Sequence, residues 1–344
     1  MIAAVPSIPV VDFLDTLPSV ATSTAAGGEG VTTLLARGEP VLLKGAIDHW
    51  PALKAAARSP ATLDAYLKER DSGAPVPVME APPSSDGRFG YSADLREFSF
   101  TKRMRPLGET LDRIAHARTD RAGGYLAIQM LPLDTQMPGF VRDNPMPLLP
   151  TDARPKLWLG GPVKTQIHND RDHNLACVIA GHRRFVLFPP EQVANLYIGP
   201  LDNPPPLSLV DPEAPDLDAF PRFREALDAA RVAHLGPGDA LLMPRYWWHH
   251  VTSRDPYNAM VNYWWGDSPA GLGDPHDAFL AALLALKPLT AQERGYWRAM
   301  FDSYVFGEDG AAHIPPAARG MLGAMTPSMR AALKQHLRKA VLKS

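Results

Sequence analysis

The sequence predicts a mainly β domain, a sandwich or barrel, with mixed helices and strands before it and helices after it. Short β-type runs recur with turn residues between them from Gly124 onward, a spacing typical of sandwiches and barrels. After Pro269 the pattern becomes alanine- and leucine-rich and helical. These changes predict three regions: α/β elements that flank the barrel over 1–120, the β domain over 121–270, and a helical region over 271–344.

The first region holds one clear strand signal and two helix signals. Residues 40–45 form a short apolar run bounded by proline and glycine, which is typical of a strand. Ser59 followed by Pro60 predicts a helix N-cap with proline in the first turn, and residues 107–117 carry a second helical stripe. Repeated proline, glycine and serine over 72–92 predict a loop or an irregular edge hairpin.

The middle region carries the strands of the predicted barrel. Six runs are predicted as strands, at 125–131, 156–159, 175–179, 185–188, 240–243 and 260–265. A hairpin turn is expected near Gly181, and the Gly-Pro-Gly-Asp sequence of 236–239 predicts a tight turn. A proline- and aspartate-rich insertion fills 199–223. Because loops of this kind carry binding specificity, this insertion and the 72–92 segment are expected to select the substrate.

The last region is predicted to be helical. Residues 279–286 are alanine- and leucine-rich, and Thr290 with Glu293 fits a capping box. Pro327 stands in the first turn of a helix predicted over 329–342. Apolar residues recur at helical spacing along this last helix, which gives it an amphipathic face.

Composition narrows the classes of function. Hydrophobic residues make up 45% of the 344 residues and charged residues 21%, so the chain can bury a sizeable core. The formal net charge of −2 gives nucleic-acid binding no support. A single cysteine, Cys177, excludes an intrachain disulfide and a cysteine-based zinc cluster, so histidine and carboxylate must hold any metal. Apolar stretches fall short of the ~18 residues that span a bilayer, and we expect a soluble cytoplasmic protein without a membrane partner.

A histidine-x-aspartate motif gives the strongest chemical signal. In an extended segment His168 and Asp170 point to the same face, because side chains alternate with period two, so both can bind one ion. His249, in a later aromatic and apolar run, can supply a third ligand. Two imidazoles and one carboxylate form the facial triad that binds Fe(II) and leaves positions open. The alternative is that these are ordinary core or surface histidines.

Ordered motifs around these residues resemble the cupin-like JmjC oxygenases, and the asparaginyl hydroxylases among them. The motifs are residues 168–170, 181–190, 236–239, 243–250 and 261–264, with an upstream segment at 39–52. The resemblance implies a double-stranded β-helix, the cupin jelly roll, in the middle region. It also implies Fe(II) as the cofactor, with His168, Asp170 and His249 as its ligands. His250 would point to the opposite face of its strand, so His249 is favoured as the ligand.

The resemblance further implies 2-oxoglutarate as the co-substrate. Thr165 and Tyr125 match the hydroxyl groups that bond its distal carboxylate, and Asn174 and Asn262 match amides near its metal-bound end. Arg183 stands where close relatives carry a lysine. Arginine keeps the positive charge and offers a bidentate fork, but its longer reach changes the pocket. The alternative is that Arg183 faces solvent in its hairpin.

A member of this family is expected to be a dioxygenase, an oxidoreductase that hydroxylates a protein or peptide side chain or a small molecule. Such a reaction consumes dioxygen and releases succinate and CO2, with N-demethylation as its neighbouring outcome. Two alternatives stay open: a metal-dependent cupin enzyme without 2-oxoglutarate, and a cupin that only binds metal or peptide. Similar enzymes form a homodimer through a C-terminal helical tail, so we expect one here; otherwise these helices pack against their own barrel.

Overall fold

The chain folds into two units that divide after Gly266. The computed structural model describes residues 12–24, 30–120, 123–202, 205–266 and 273–341. The strands are β1 Ala21–Thr24, β2 Val41–Lys44, β3 Val76–Ala81, β4 Arg88–Phe89, β5 Thr101–Arg105, β6 Tyr125–Pro132, β7 Arg154–Gly160, β8 Val163–Asn169, β9 His173–Ala180, β10 Arg183–Phe188, β11 Arg231–Leu235, β12 Ala240–Met243, β13 Trp248–Ser253 and β14 Asn258–Trp265. The helices of the same unit are α1 Val31–Leu35, α2 Pro51–Arg58, α3 Pro60–Lys68, α4 Leu107–Ala117, α5 Leu133–Gln136, α6 Pro138–Asp143 and α7 Phe223–Ala229.

These strands form two sheets with a shared core between them. The larger sheet has the order β1-β2-β12-β9-β14-β7-β6-β3-β5, and the smaller has the order β11-β10-β13-β8-β4. Val178 and Met260 of the larger sheet share one buried cluster with Phe185 and Val251 of the smaller sheet. The predicted fold class, mainly β with flanking helices around a jelly-roll core, is confirmed.

Strand β9 lies at the centre of the larger sheet and is buried along its whole length. Ala176 and Val178 belong to the core between the sheets. Leu175, Cys177 and Ile179 alternate with them and pack on the other face, in the core under the helices. A strand that is covered on both faces has a continuous apolar sequence, which is why the run at 175–179 is so clear.

Helices cover the outer faces of both sheets. Leu63 of α3 and Leu111 of α4 pack in the core outside the larger sheet. The Ser59 hydroxyl accepts a hydrogen bond from the Thr62 amide at 3.1 Å, so the predicted N-cap is present. Phe223 of α7 belongs to the core outside the smaller sheet. Helices therefore cover the barrel on both outer faces, and the space between the sheets can hold a site.

Several strands were not predicted, among them β1, β5 and β11, and two further cases have a clear physical reason. The 72–92 segment contains β3, which pairs with both β5 and β6, rather than a loop or an edge hairpin. Alternate burial of Val76 and Val78 stabilises β3 despite the neighbouring prolines and glycines. Strand β8 was missed because its sequence, Val-Lys-Thr-Gln-Ile-His-Asn, is mostly polar. Two of its polar side chains, Thr165 and His168, line a cavity rather than the apolar core.

The second unit consists of helices in its described part. These are α8 Pro275–Leu286, α9 Ala291–Phe301 and α10 Pro327–Val341. The predicted capping box of Thr290 and Glu293 is present at the start of α9. No side chain described between 273 and 339 is buried. Across both units, none of the described helices has the length and apolar character needed to cross a bilayer.

Candidate active site

A cavity of about 520 Å³ opens between the two sheets. Its lining includes seven of the eight residues that the sequence predicted for the site: Thr165, His168, Asp170, Asn174, Arg183, His249 and Asn262. They come from β8, β9, β10, β13 and β14 and from the turn after β8. Residues far apart in sequence therefore meet in one place because the sheets pair their strands.

The two histidines face each other across the β8–β13 pair. His249 is the direct partner of His168 in the ladder, and their ring centroids lie 4.3 Å apart. The Nδ1 of His168 lies 2.8 Å from the carbonyl oxygen of Gln166, and that of His249 lies 3.0 Å from the carbonyl oxygen of Trp247. A carbonyl can only accept, so each Nδ1 carries the proton. The Nε2 lone pair of each ring is left for a ligand.

A β-bulge explains how β8 presents both Thr165 and His168 to the cavity. Three steps along β8, from Thr165 to His168, match two steps along β13, from Val251 to His249. Residues three apart would point to opposite faces of a regular strand. The extra residue re-aims the strand, so both side chains line the same space.

Hydrogen bonds hold the Asp170 carboxylate in place. Its Oδ2 accepts from Asn174 Nδ2 at 3.0 Å and from Trp264 Nε1 at 3.1 Å. Asn262 Nδ2 donates in turn to Asn174 Oδ1 at 2.8 Å. The predicted amides thus form a chain that ends on Asp170, and Trp264, which the sequence did not single out, completes it. The sequence signal that could have identified Trp264 is its position two residues after Asn262, on the same face of β14.

The ionisation states of His249 and Asp170 are those that metal ligands need. Burial, followed by the repulsion that would arise if His249 and the adjacent His168 were both protonated, lowers the pKa of His249 to about 4, so this ring is neutral at pH 7. Burial alone would raise the pKa of Asp170. The two histidines and the bonds from Trp264 and Asn174 outweigh that effect and hold the pKa below its ordinary value. The carboxylate is therefore ionised at neutral pH.

The donor set can be compared with the needs of a metal ion. Within the described ranges, no three His, Cys, Asp or Glu side chains converge into a complete ligand set. His249 Nε2 and Asp170 Oδ2 are 3.8 Å apart, whereas two ligand atoms at right angles, each ~2.1 Å from an ion, lie about 3 Å apart. The excess is under about 1 Å, within the reach of side-chain rotation. Two imidazole nitrogens and one carboxylate have the chemistry that Fe(II) takes, so these residues fit it.

Arg183 and Arg184 point to opposite faces of β10. Arg184 makes ion pairs on the outer face with Asp12, Asp15 and Glu213 at 2.6, 3.0 and 2.7 Å. Arg183 lines the cavity instead, and its Nε is buried without a hydrogen-bond partner among the described residues. Burial lowers the pKa of Arg183 to about 10, so it stays charged at pH 7. A buried cation of this kind calls for an anionic ligand.

Tyr125 lies outside the cavity lining. Its hydroxyl donates to Asp86 Oδ1 at 3.4 Å, and its ring packs in a small cluster that includes Phe89 and Val163. The structure therefore does not bring it to Thr165 and Arg183 as the resemblance implied. Gln129, four residues along β6 and about 13 Å farther down the strand, is buried and lines the cavity in its place.

Comparisons with known proteins match most of the chain. The profile of the cupin-like domain family matches residues 29–271. Jumonji C domain-containing protein 5 of Drosophila melanogaster is 30% identical over 242 residues, 66% of this chain and 55% of the relative. Human HSPB1-associated protein 1 is 38% identical over 112 residues, 31% of this chain and 22% of the relative. Lysine-specific demethylase JMJ31 of Arabidopsis thaliana is 31% identical over 140 residues, 40% of this chain and 24% of the relative.

The matched part of these relatives is limited. The chain spans about half the length of the Drosophila protein and under a quarter of the other two. The family profile, over residues 29–271, includes every residue that lines the cavity.

Proposed function

Since the chain belongs to the cupin-like domain family, as its motifs predicted, we propose that it is an Fe(II)- and 2-oxoglutarate-dependent oxygenase. Members of the JmjC branch are typically oxygenases or demethylases of this kind. In this proposal the chain is a hydroxylase of a protein, peptide or small-molecule substrate, and N-demethylation is the neighbouring outcome. The observation that supports it best is that His168, Asp170, His249 and Arg183 line one cavity.

His168, Asp170 and His249 would hold the iron. With 2-oxoglutarate bound beside it, Fe(II) supplies the oxidation of a substrate C–H group by dioxygen, with succinate and CO2 as products. The Nδ1 bonds to main-chain carbonyls keep both imidazoles from turning. Asn174 and Trp264 fix the carboxylate. These contacts orient the three donors before an ion arrives, which raises affinity for it.

Arg183 and Thr165 would bind the distal carboxylate of 2-oxoglutarate. The guanidinium is charged, buried and unbonded at Nε, and the hydroxyl of Thr165 lines the same cavity. Phe185 and Val251, also in the lining, provide apolar contact and exclude water from this end. A carboxylate bound there gains charge-assisted hydrogen bonds in a medium of low dielectric constant.

The decisive test is an anaerobic titration of the protein with Fe(II) and 2-oxoglutarate, followed by visible absorption. We expect the weak charge-transfer band of the chelate to appear and saturate. Metal binding without this band would contradict the use of 2-oxoglutarate and would favour a cupin that uses its metal alone. Succinate production in stoichiometric amounts, once dioxygen is admitted, would support the oxygenase directly.

Replacing Trp264 by phenylalanine is expected to lower affinity for Fe(II) roughly tenfold, the lower end of the ~10–100-fold loss seen when an outer partner of a ligand is removed. The ring is kept, but the 3.1 Å bond from Nε1 to Asp170 is lost. Affinity is measured by competition with a chromophoric chelator. Trp158→Phe is the matched control, because this indole also lines the cavity while its Nε1 has no partner among the described residues. Equal affinity in the two variants would refute the role given to Trp264.

The proposal includes a cytoplasmic location and a homodimer. The single cysteine is buried and unpaired, which suits a reducing compartment. The second unit exposes large apolar side chains, among them Phe279 at 47%, Leu284 at 74% and Phe306 at 74%. Helices with such faces normally cover them against another surface. A second copy of the same helices is a self-complementary partner.

Leu284→Glu is expected to convert a dimer into a monomer. An unpaired carboxylate in an apolar interface costs at least about 3 kcal/mol, which raises the dimer dissociation constant more than about a hundredfold. Size-exclusion chromatography with light scattering should give twice the 37.5 kDa chain mass for the wild type. Gln292→Glu, at an exposed polar position of α9, should stay dimeric. A monomeric wild-type protein would refute the dimer and favour helices packed on their own chain.

A further inference from the structure

The cavity has an excess of positive charge. Its charged lining residues are Lys102, Lys156, Arg171 and Arg183 on one side and Asp170 and Asp172 on the other. The argument rests on the proposed function, in which Fe(II) and the dianion of 2-oxoglutarate enter the same space and cancel each other in formal charge. Asp170 and Arg183 are then engaged with the iron and the co-substrate, so the cations of Lys102, Lys156 and Arg171 and the carboxylate of Asp172 would still face the substrate. An excess of one sign in a recessed site raises the local concentration of ligands of the opposite sign.

Lys156 lies beside the proposed metal site. It is the ladder partner of Asn262 across β7 and β14, and its Nζ lies 4.6 Å from the centre of the Trp264 ring. No carboxylate among the described residues pairs with it. The same ring whose Nε1 bonds Asp170 thus already holds an ammonium group on its face. A methylated lysine from a substrate would find this cation–π position occupied by a like charge.

Lys102 is a second lysine that lines the cavity, and it lies on β5 at the edge of the larger sheet. Its neighbours Arg103 and Arg105 point to the other face, where both reach Glu80, at 3.7 and 2.8 Å. Lys102 instead lines the cavity, and no described carboxylate pairs with it. The two arginines on the outer face of β5 are therefore paired with a carboxylate. Lys102, which faces the cavity, is available to a ligand.

The two lysines are too far apart for one small acid. Between β7 and β5 lie β6 and β3, so three spacings of ~4.8 Å separate the two strands. The register places Lys102 in line with Gly160, four residues from Lys156, which at ~3.3 Å per residue brings the separation of the two backbone positions to about 20 Å. Trp158, Gln129 and Met79 line the cavity between them. Phe98 and Phe100 stack at 5.1 Å and line the same cavity. An extended peptide rises ~3.3 Å per residue, so about six residues bridge the two lysines.

We propose that the substrate of this site is an acidic peptide segment, which lies extended over the floor between Lys156 and Lys102 with a carboxylate at each. The peptide is favoured over a nucleic acid because the floor is lined by methionine and aromatic side chains, while the whole chain carries a net charge of −2. The reacting carbon is then placed near His249 by pairing of the peptide with residues outside the metal ligands.

The test uses ten-residue peptide pools that carry a neutral fluorophore. The acidic pool has Asp or Glu at half of its positions, the neutral pool has Asn or Gln there, and the basic pool has Lys or Arg. A ten-nucleotide oligothymidine is a fourth probe. Each is titrated anaerobically with the full chain, Fe(II) and 2-oxoglutarate, and binding is followed by fluorescence anisotropy. We expect the acidic pool to bind roughly 25-fold more tightly than the neutral pool, the product of two partly exposed ion pairs at about fivefold each.

Lys156→Gln and Lys102→Gln should each weaken binding of the acidic pool roughly fivefold, the scale of a partly exposed ion pair to an ordered partner. Lys54→Gln is the matched control, because Lys54 is exposed on α2 and does not line the cavity. The 2-oxoglutarate titration should be the same in all three variants. If Lys156→Gln weakens binding of 2-oxoglutarate and leaves binding of the peptides unchanged, the lysine contacts the co-substrate and the inference is wrong.

Equal binding of the acidic and neutral pools, or tightest binding of the basic pool or the oligonucleotide, would overturn the inference. The chelate band is recorded on the same samples. A band without a preference for acidic peptides contradicts this inference alone. No band contradicts the proposed function, while the comparison of pools, which needs no turnover, still decides between acidic and other ligands.

Discussion

Replacing His249 by alanine is expected to lower affinity for Fe(II) more than about a hundredfold, beyond the ~10–100-fold effect of outer partners. It should also abolish 2-oxoglutarate turnover. The variant removes one of three donors and leaves only His168 and Asp170 to hold the ion. Competition with a chelator gives the affinity, and succinate release gives the turnover.

The neighbouring His250 supplies the control. It is buried on the opposite face of β13, where its Nε2 lies 3.0 Å from Thr252 Oγ1. His250→Ala is expected to lower the melting temperature through lost packing but to keep Fe(II) affinity in the folded protein. Melting curves of both variants separate loss of fold from loss of a ligand. Undiminished Fe(II) affinity in His249→Ala would contradict the proposed ligand set.

Replacing Arg183 by alanine is expected to raise the 2-oxoglutarate concentration at half-saturation about a hundredfold or more. Charge-assisted hydrogen bonds contribute about 1.5–3 kcal/mol each, and a bidentate guanidinium makes two of them. The band titration measures this constant without a substrate. Fe(II) affinity in the absence of 2-oxoglutarate should not change, since Arg183 is not a ligand.

Two further variants sharpen this prediction. Arg183→Lys should recover part of the lost affinity, because it restores the charge without the planar fork. Arg184→Ala removes the adjacent guanidinium from its three carboxylates. It should lower stability, since three carboxylates lose the buried guanidinium that pairs with them, and leave 2-oxoglutarate binding unchanged. Similar half-saturation in Arg183→Ala and the wild type would show that another group binds the carboxylate.

Much of this site could be anticipated from local sequence. Side-chain alternation predicted that Asp170 and His168 could act together and that His249, rather than His250, would face inward. The same alternation applies to the aromatic residues of β14. Tyr263 and Trp265 do pack under the helices, while Trp264 faces the cavity.

The remainder depends on pairing between distant strands. Thr165 and His168 share a face only because β8 bulges against β13, and nothing within β8 itself specifies that bulge. Lys102 and Lys156 meet one cavity because β5 and β7 belong to one sheet, which single-strand patterns do not reveal. Tyr125 departs from its expected role because family correspondence fixes its place in the sequence but not its distance from the cavity.

The direct pairing of His168 with His249 has a consequence for how the protein matures. The two residues are about eighty positions apart in the chain, and contacts between segments so distant form slowly, typically on a time scale of milliseconds to seconds. A chain still emerging from the ribosome with residue 230 as its last carries only His168 and Asp170. Loading of the proposed metal would therefore have to wait until synthesis has passed β13 and the two strands have joined.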